Sequence, residues 1–200
     1  MLYKFKRNKM IADVPIYIGG LSSKMTEIYD RRANQSRRVL PRLQLFPELG
    51  PFVLNGKTIA DAPARPGRIY ALSSGMMTPK TLSNIFARRV IDRPEHSIFF
   101  VGYSDPASPA GLLRHAQPNE LVSLDQDEPA VPLRCQLDQF QFSAHASRES
   151  ILAYIKKVAP KKVVLVHGDT AAVEWTRAAT AAALPESEIV VPPPGVEIEL

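Results

Sequence analysis

The 200-residue chain holds one cysteine, one tryptophan and no long apolar run. Cys135 cannot close an internal disulfide, and alone it excludes a metal site built from several thiolates of this chain. So few thiols fit a reducing compartment, and the cytoplasm is the expected location. Apolar stretches such as Val163-Val164-Leu165-Val166 fall far short of the ~20 residues that a membrane span needs, so no membrane partner is expected. Met1 is followed by Leu2-Tyr3-Lys4-Phe5-Lys6 with no apolar stretch behind the charges, which is not the pattern of a secretory signal. Wholesale disorder is excluded as well. Charged residues make up 22% and hydrophobic residues 45% of the chain, an ordinary globular balance. A chain of this length buries roughly 70% of the surface that it exposes when unfolded. A glycine-rich dinucleotide or P-loop fingerprint is absent, which argues against a nucleotide-binding module of either kind.

What is present is unevenly charged. Residues 1–100 carry 17 Lys+Arg against 7 Asp+Glu, and residues 101–200 carry 8 against 13. The basic first half favours a polyanion, so nucleic acid is the expected partner.

The pattern along the chain is α/β. Lys4 to Ile11 reads as a helix and Val14 to Ile18 as a short buried strand. A turn follows at Gly19-Gly20, then a helix capped by Ser22 or Ser23 and running to about Ala33. Residues 34–66 read as irregular, with a strand near Phe52 to Leu54. Arg68 to Leu72 (strand), a helix opened by Pro79, and Ser97 to Val101 (strand) form a βαβ unit with parallel pairing. Ala110 to His115 is helical, and Leu121 to Leu124 and Val131 to Phe142 are strands. Ser147 caps a helix with Glu149 at its positive end, Lys156 and Lys157 at its negative end, and Pro160 as its stop. A strand Val163 to Val166, a helix capped by Thr170 and reaching Leu184, and a strand Glu188 to Val191 close the chain.

Three places could carry chemistry. His167, followed by Gly168 and Asp169, stands at the carboxyl end of a buried strand, where parallel sheets bind ligands. A neutral imidazole there suits a metal ion, although a backbone-bonded structural histidine fits the local pattern equally well. His145 sits among small residues just before a helix start, which favours anions, and could pass a proton to a phosphate. Ser73-Ser74-Gly75 offers two hydroxyls and open backbone N–H groups between a strand and a helix. His96 and His115 read as solvated turn residues.

Taken together these stretches resemble the β-CASP branch of the metallo-β-lactamase superfamily, the branch of RNA-processing nucleases. Phe142-Ser143-Ala144-His145-Ala146 followed by Val164-Leu165-Val166-His167-Gly168-Asp169 carries the most specific likeness. Asp13-Val14-Pro15-Ile16-Tyr17 is similar to the family's DVPVYV strand. Ile69 to Met76 is similar to its IIASSGML loop, and Phe99-Phe100-Val101-Gly102-Tyr103 to its LFVGY strand. The resemblance implies an α/β fold with a β-CASP cassette over residues 1–142 and the C-terminal segment of a lactamase fold over 143–200. It implies zinc-dependent cleavage of RNA phosphodiesters, single-stranded RNA being the partner. It implies that His167 is a zinc ligand and His145 a catalytic proton-transfer residue, with Ser73, Ser74 and Gly75 meeting the nucleic-acid backbone. Two zinc ions are expected in a complete enzyme, with at most the one ligand His167 coming from this chain. The family's main zinc motif, His-x-His-x-Asp-His, does not occur in these 200 residues. The expectation is therefore a chain that lacks the N-terminal lactamase half and alone binds zinc poorly and hydrolyses nothing efficiently. Apolar surface left bare near 143–200 makes a homo-oligomer an expected form. The alternative is a non-catalytic nucleic-acid-binding or assembly subunit. Smaller departures from the family pattern are Pro79-Lys80, Ser147 and Asp169.

Overall fold

A computed structural model describes residues 1–35, 37, 40–140, 142 and 145–198. The chain divides into two compact units, Met1–Phe142 and Ser143–Leu200.

The first unit opens with α1 (Leu2–Arg7), β1 (Ile16–Gly19), α2 (Leu21–Arg31), α3 (Leu45–Leu49), β2 (Phe52–Leu54) and β3 (Ile69–Leu72). β1 is the central strand of a parallel sheet in the order β2-β1-β3. Its register sets Tyr17 beside both Phe52 and Tyr70. The three rings stack at 5.0 and 4.9 Å, and Phe86 adds a fourth 4.0 Å from Tyr70. Each such aromatic pair contributes about 0.5–1.5 kcal/mol beyond its buried area. Leu54, Ile59, Ala62, Phe86 and Val90 form the core under this sheet.

The unit continues with α4 (Leu82–Ala87), β4 (Ser97–Val101), α5 (Pro109–His115), β5 (Leu121–Val122), β6 (Val131–Pro132) and β7 (Gln136–Phe140). β4 pairs in parallel with β7, and β5 antiparallel with β6. Ile91, Phe100, Ala110, Leu113, Leu124, Leu133 and Cys135 belong to a second core cluster. Against this second cluster lies Asn84, fully buried, whose amide donates to the carbonyls of Met77 and Leu124 at 2.8 and 2.7 Å.

The second unit contains α6 (Arg148–Val158), β8 (Lys162–Val164), α7 (Thr170–Ala183) and β9 (Glu188–Val190), with β8 parallel to β9. The Ser147 hydroxyl accepts from the Ser150 N–H at 3.2 Å, Glu149 lies in the first turn and Lys156 and Lys157 in the last. Ala159, left-handed at φ 45°, ends the helix before Pro160.

Several expectations are corrected. The parallel sheet is present, but 68–72 and 97–101 do not pair with each other. β3 joins β1, and β4 joins β7. Neither Ser22 nor Ser23 caps α2. Gly20 does, at φ 81°, because a side-chain Cβ there would stand 2.5 Å from the Ser73 carbonyl oxygen. Both serines lie inside the first turn and donate back to the Gly19 and Gly20 carbonyls. Thr81, not Pro79, opens α4, its hydroxyl accepting from the Asn84 N–H. Asp169, not Thr170, is the N-cap of α7. The expected strand Val131 to Phe142 is interrupted, because the N–H groups of Arg134 and Cys135 both turn to the Ile91 carbonyl. α1 ends at Arg7 rather than Ile11, and β8 ends at Val164, although the Leu165 N–H still reaches the Val190 carbonyl. α3 was not expected within 34–66. His96 is not solvated: its side chain is only 13% exposed.

Candidate functional site

In the first unit the carboxyl ends of β1 and β3 lie side by side. The Ser73 N–H donates to the Gly19 carbonyl at 3.2 Å. The Ser73 hydroxyl accepts from the Ser22 N–H at 3.1 Å and donates to the Gly19 carbonyl at 3.3 Å. Ser73 thus ties the loop after β3 to the start of α2. Its hydroxyl is already engaged within the protein. Ser74 is held by its backbone instead, the carbonyl accepting from the Ser83 hydroxyl at 2.7 Å. Its own hydroxyl makes no hydrogen bond among the described residues. Gly75 is exposed, and a Cβ there would come no closer than 3.8 Å to the Tyr103 carbonyl oxygen. The loop therefore presents one uncommitted hydroxyl and an open backbone, set on strand ends pinned by hydrogen bonds. The sequence marks Gly19-Gly20 as a turn and Gly102 to Asp105 as able to face the same crevice, and the structure sets Gly20 against Ser73 and the Tyr103 carbonyl near Gly75. The positive φ of Gly20 arises from packing against Ser73, 53 residues away, and leaves no local signal.

In the second unit both histidines are exposed. His145 precedes the Ser147 cap of α6. The Ser143-Ala144 half of its motif lies outside the described residues. His167 stands three residues beyond β8 and adopts φ 61°, the left-handed region that side chains avoid at a cost of roughly 1–2 kcal/mol. Such strain, held between a strand and a helix, is characteristic of positions that aim a functional side chain. The His167 imidazole and the Asp169 carboxylate make no hydrogen bond or ion pair among the described residues. Gly168 packs closely, since a Cβ there would stand 3.2 Å from Val173 Cγ2.

The topology puts the two histidines at the same end of this unit. Only residues 159–161 separate α6 from β8, so the chain reverses there, and the start of α6 faces the same way as the end of β8. The parallel β8–β9 pair makes α7 run back in the same sense as α6. The Arg148 guanidinium at the first turn of α6 stacks 4.8 Å over the Trp175 ring of α7, which fixes that alignment. The topology thus sets both histidines, Asp169 and the starts of α6 and α7 toward one end of the unit. Such a set attracts phosphate and can move a proton to or from its oxygens. It does not by itself fit a zinc ion. Among the described residues no three His, Cys, Asp or Glu side chains converge as a metal site, and a catalytic zinc takes three protein ligands.

Against known families, residues 1–113 match the Beta-Casp domain, and residues 130–192 match the Zn-dependent metallo-hydrolase RNA specificity domain. Ser73–Gly75 falls in the first match, and His145 and His167 in the second. Endoribonuclease YSH1 of Saccharomyces cerevisiae is 23% identical over 78% of the chain. Transcription termination factor FttA of Methanothermobacter thermautotrophicus is 28% identical over 84%. Cleavage and polyadenylation specificity factor subunit 3 of Dictyostelium discoideum is 27% identical over 96%. The chain spans 20%, 28% and 25% of the lengths of these three relatives, respectively.

Proposed function

The chain belongs to the Beta-Casp domain family of the metallo-β-lactamase superfamily, and from that premise we propose that it is the RNA-engaging, C-terminal part of a zinc-dependent nuclease. Its substrate is single-stranded RNA. Ser74 and Gly75 meet the backbone, with Ser73 holding their loop, and His145 transfers a proton at the scissile phosphate. His167 offers a single zinc ligand to a site completed by a segment bearing His-x-His-x-Asp-His. When bound, the zinc supplies charge neutralisation and an activated water. The chain's own residues hold the strand and serve the proton. The observation that carries this reading is the match of residues 130–192 to the RNA specificity domain, which contains both exposed histidines.

The test mixes this chain with a lactamase segment carrying that motif, zinc and a labelled single-stranded RNA. Cleavage is expected from the mixture and from neither part alone. His167→Ala should lower the zinc content of the mixture. His145→Ala should slow cleavage by about 10²–10⁴-fold, the usual contribution of a general acid or base, with zinc retained. A folded, metal-loaded mixture that cleaves nothing would instead favour a binding or assembly subunit. Loss of zinc on His145→Ala would overturn the division of roles.

A further inference from the structure

Away from the loop and the histidines, an open cleft of about 480 Å³ is lined by Tyr3, Lys6, Arg7, Glu48 and Leu49. The lining comes from α1 and α3, which pack against each other. The α3 wall is firmly placed. The buried Asp30 carboxylate accepts from the Leu45 and Phe46 N–H groups at 2.8 and 2.7 Å, capping the helix from 15 residues upstream.

The lining is chemically two-sided. On α1 the last turn carries Lys4, Lys6 and Arg7, with no acid in the first turn. The Arg7 guanidinium donates to the Tyr3 hydroxyl at 3.2 Å and forms no ion pair among the described residues. Most of its five N–H donors therefore remain for a ligand. Lys6 lies 3.0 Å from Asp13, whose side chain is 87% exposed. Lys6 itself is 32% exposed, and a pair with one partner open to water contributes little. On α3, Leu49 adds apolar surface and Glu48 an exposed carboxylate. Glu48 disfavours a bare anion. It suits a ligand that is anionic at one end and carries an amino group at the other.

The geometry points to a nucleotide-binding cleft, the phosphate on Lys6 and Arg7, the base against the Tyr3 ring and Leu49, and the base's amino group on Glu48. This rests on the reading that the chain engages RNA. It adds a second contact for the strand at the opposite end of the sequence from the histidines. The same chemistry serves a free nucleotide, and the experiment separates the two sources.

Backbone NMR spectra of the full chain would be titrated with AMP, octa-adenylate and octa-uridylate at low salt. Shifts at Tyr3, Arg7 and Leu49 are expected with AMP and with octa-adenylate. Arg7→Ala and Lys6→Ala, each checked for an unchanged circular dichroism spectrum, should each weaken octa-adenylate binding about tenfold. Each should also lower the slope of log K against log[salt] by about one. Glu48→Leu should erase the preference for octa-adenylate over octa-uridylate. Binding of AMP with no competition from octa-adenylate assigns the cleft to free nucleotides. If octa-adenylate binds elsewhere and Arg7→Ala changes nothing, the cleft assignment fails while the RNA reading stands. If no nucleotide or oligonucleotide binds, both fail.

Discussion

Burial of Cys135 in the second core cluster pushes its thiol up from 9.0 to about 11. The thiolate is the reactive form, so at pH 8 the folded chain should resist iodoacetamide and react only once urea unfolds it. Rapid alkylation of the native chain would contradict the packing. The same shift sets a pH dependence. The unfolded thiol loses its proton first, so its contribution to stability is intact below pH 9 and is lost as pH rises towards about 11. Cys135→Ala should flatten that decline in urea titrations. Asp30 shows a different residue-scale device, a carboxylate buried on two N–H groups, and hydrogen bonds to a charged group are worth about 1.5–3 kcal/mol each.

Among the elements, α6 has the most complete set of local signals and a reporter beside it. Removing the cap with Ser147→Ala should cost about 1 kcal/mol. Trp175, the chain's one tryptophan, lies under Arg148 and reads the change by fluorescence. The hydrogen bond from Arg148, with help from the Glu149 backbone and Ser147, holds the Glu149 carboxyl below 4.5. The folded carboxylate is therefore stabilising above pH 4.5, and that contribution disappears as pH falls through its lowered folded value. Because Arg148 is the main cause, Arg148→Ala should raise the pH of the Glu149 carboxyl transition, followed by the side-chain carboxyl signal in NMR. An unmoved transition would show that the Arg148–Glu149 pair has no effect on the carboxyl.

At the scale of the whole molecule the two units differ in how much they bury. In the second, only Val163 and Thr180 are buried among the described residues, while Tyr154 and Val166 are each 69% exposed. Ile151, Val158, Val191 and Val196 are exposed as well. Ile151, Tyr154 and Val158 recur at helical spacing on α6, and exposed apolar surface of that kind favours association. Sedimentation velocity at tens of micromolar should therefore show association of the isolated chain, reduced by Tyr154→Lys with Val158→Lys. A monomer at every concentration would overturn this. No described helix is long and apolar enough to cross a membrane.

The sequence by itself determined the elements whose signals are local. Ser147, Lys156-Lys157 and Pro160 delimit α6 because capping, the helix dipole and the missing proline N–H act within one or two turns. Phe52–Leu54 and Ser97–Val101 were legible for the same reason, as apolar runs between turn residues. The stretches around the histidines and Ser73–Gly75 carry the family likeness in the sequence, and they lie inside the two matched domains. Only the tertiary structure decided which strands pair, because β3 and β4 each find their partner across the chain rather than in each other. It alone placed the Asp30 cap on α3, the Gly20 cap on α2, and Tyr3, Lys6 and Arg7 opposite Glu48. Each of these depends on groups 15 to 53 residues apart, brought together by packing that no short window of sequence encodes.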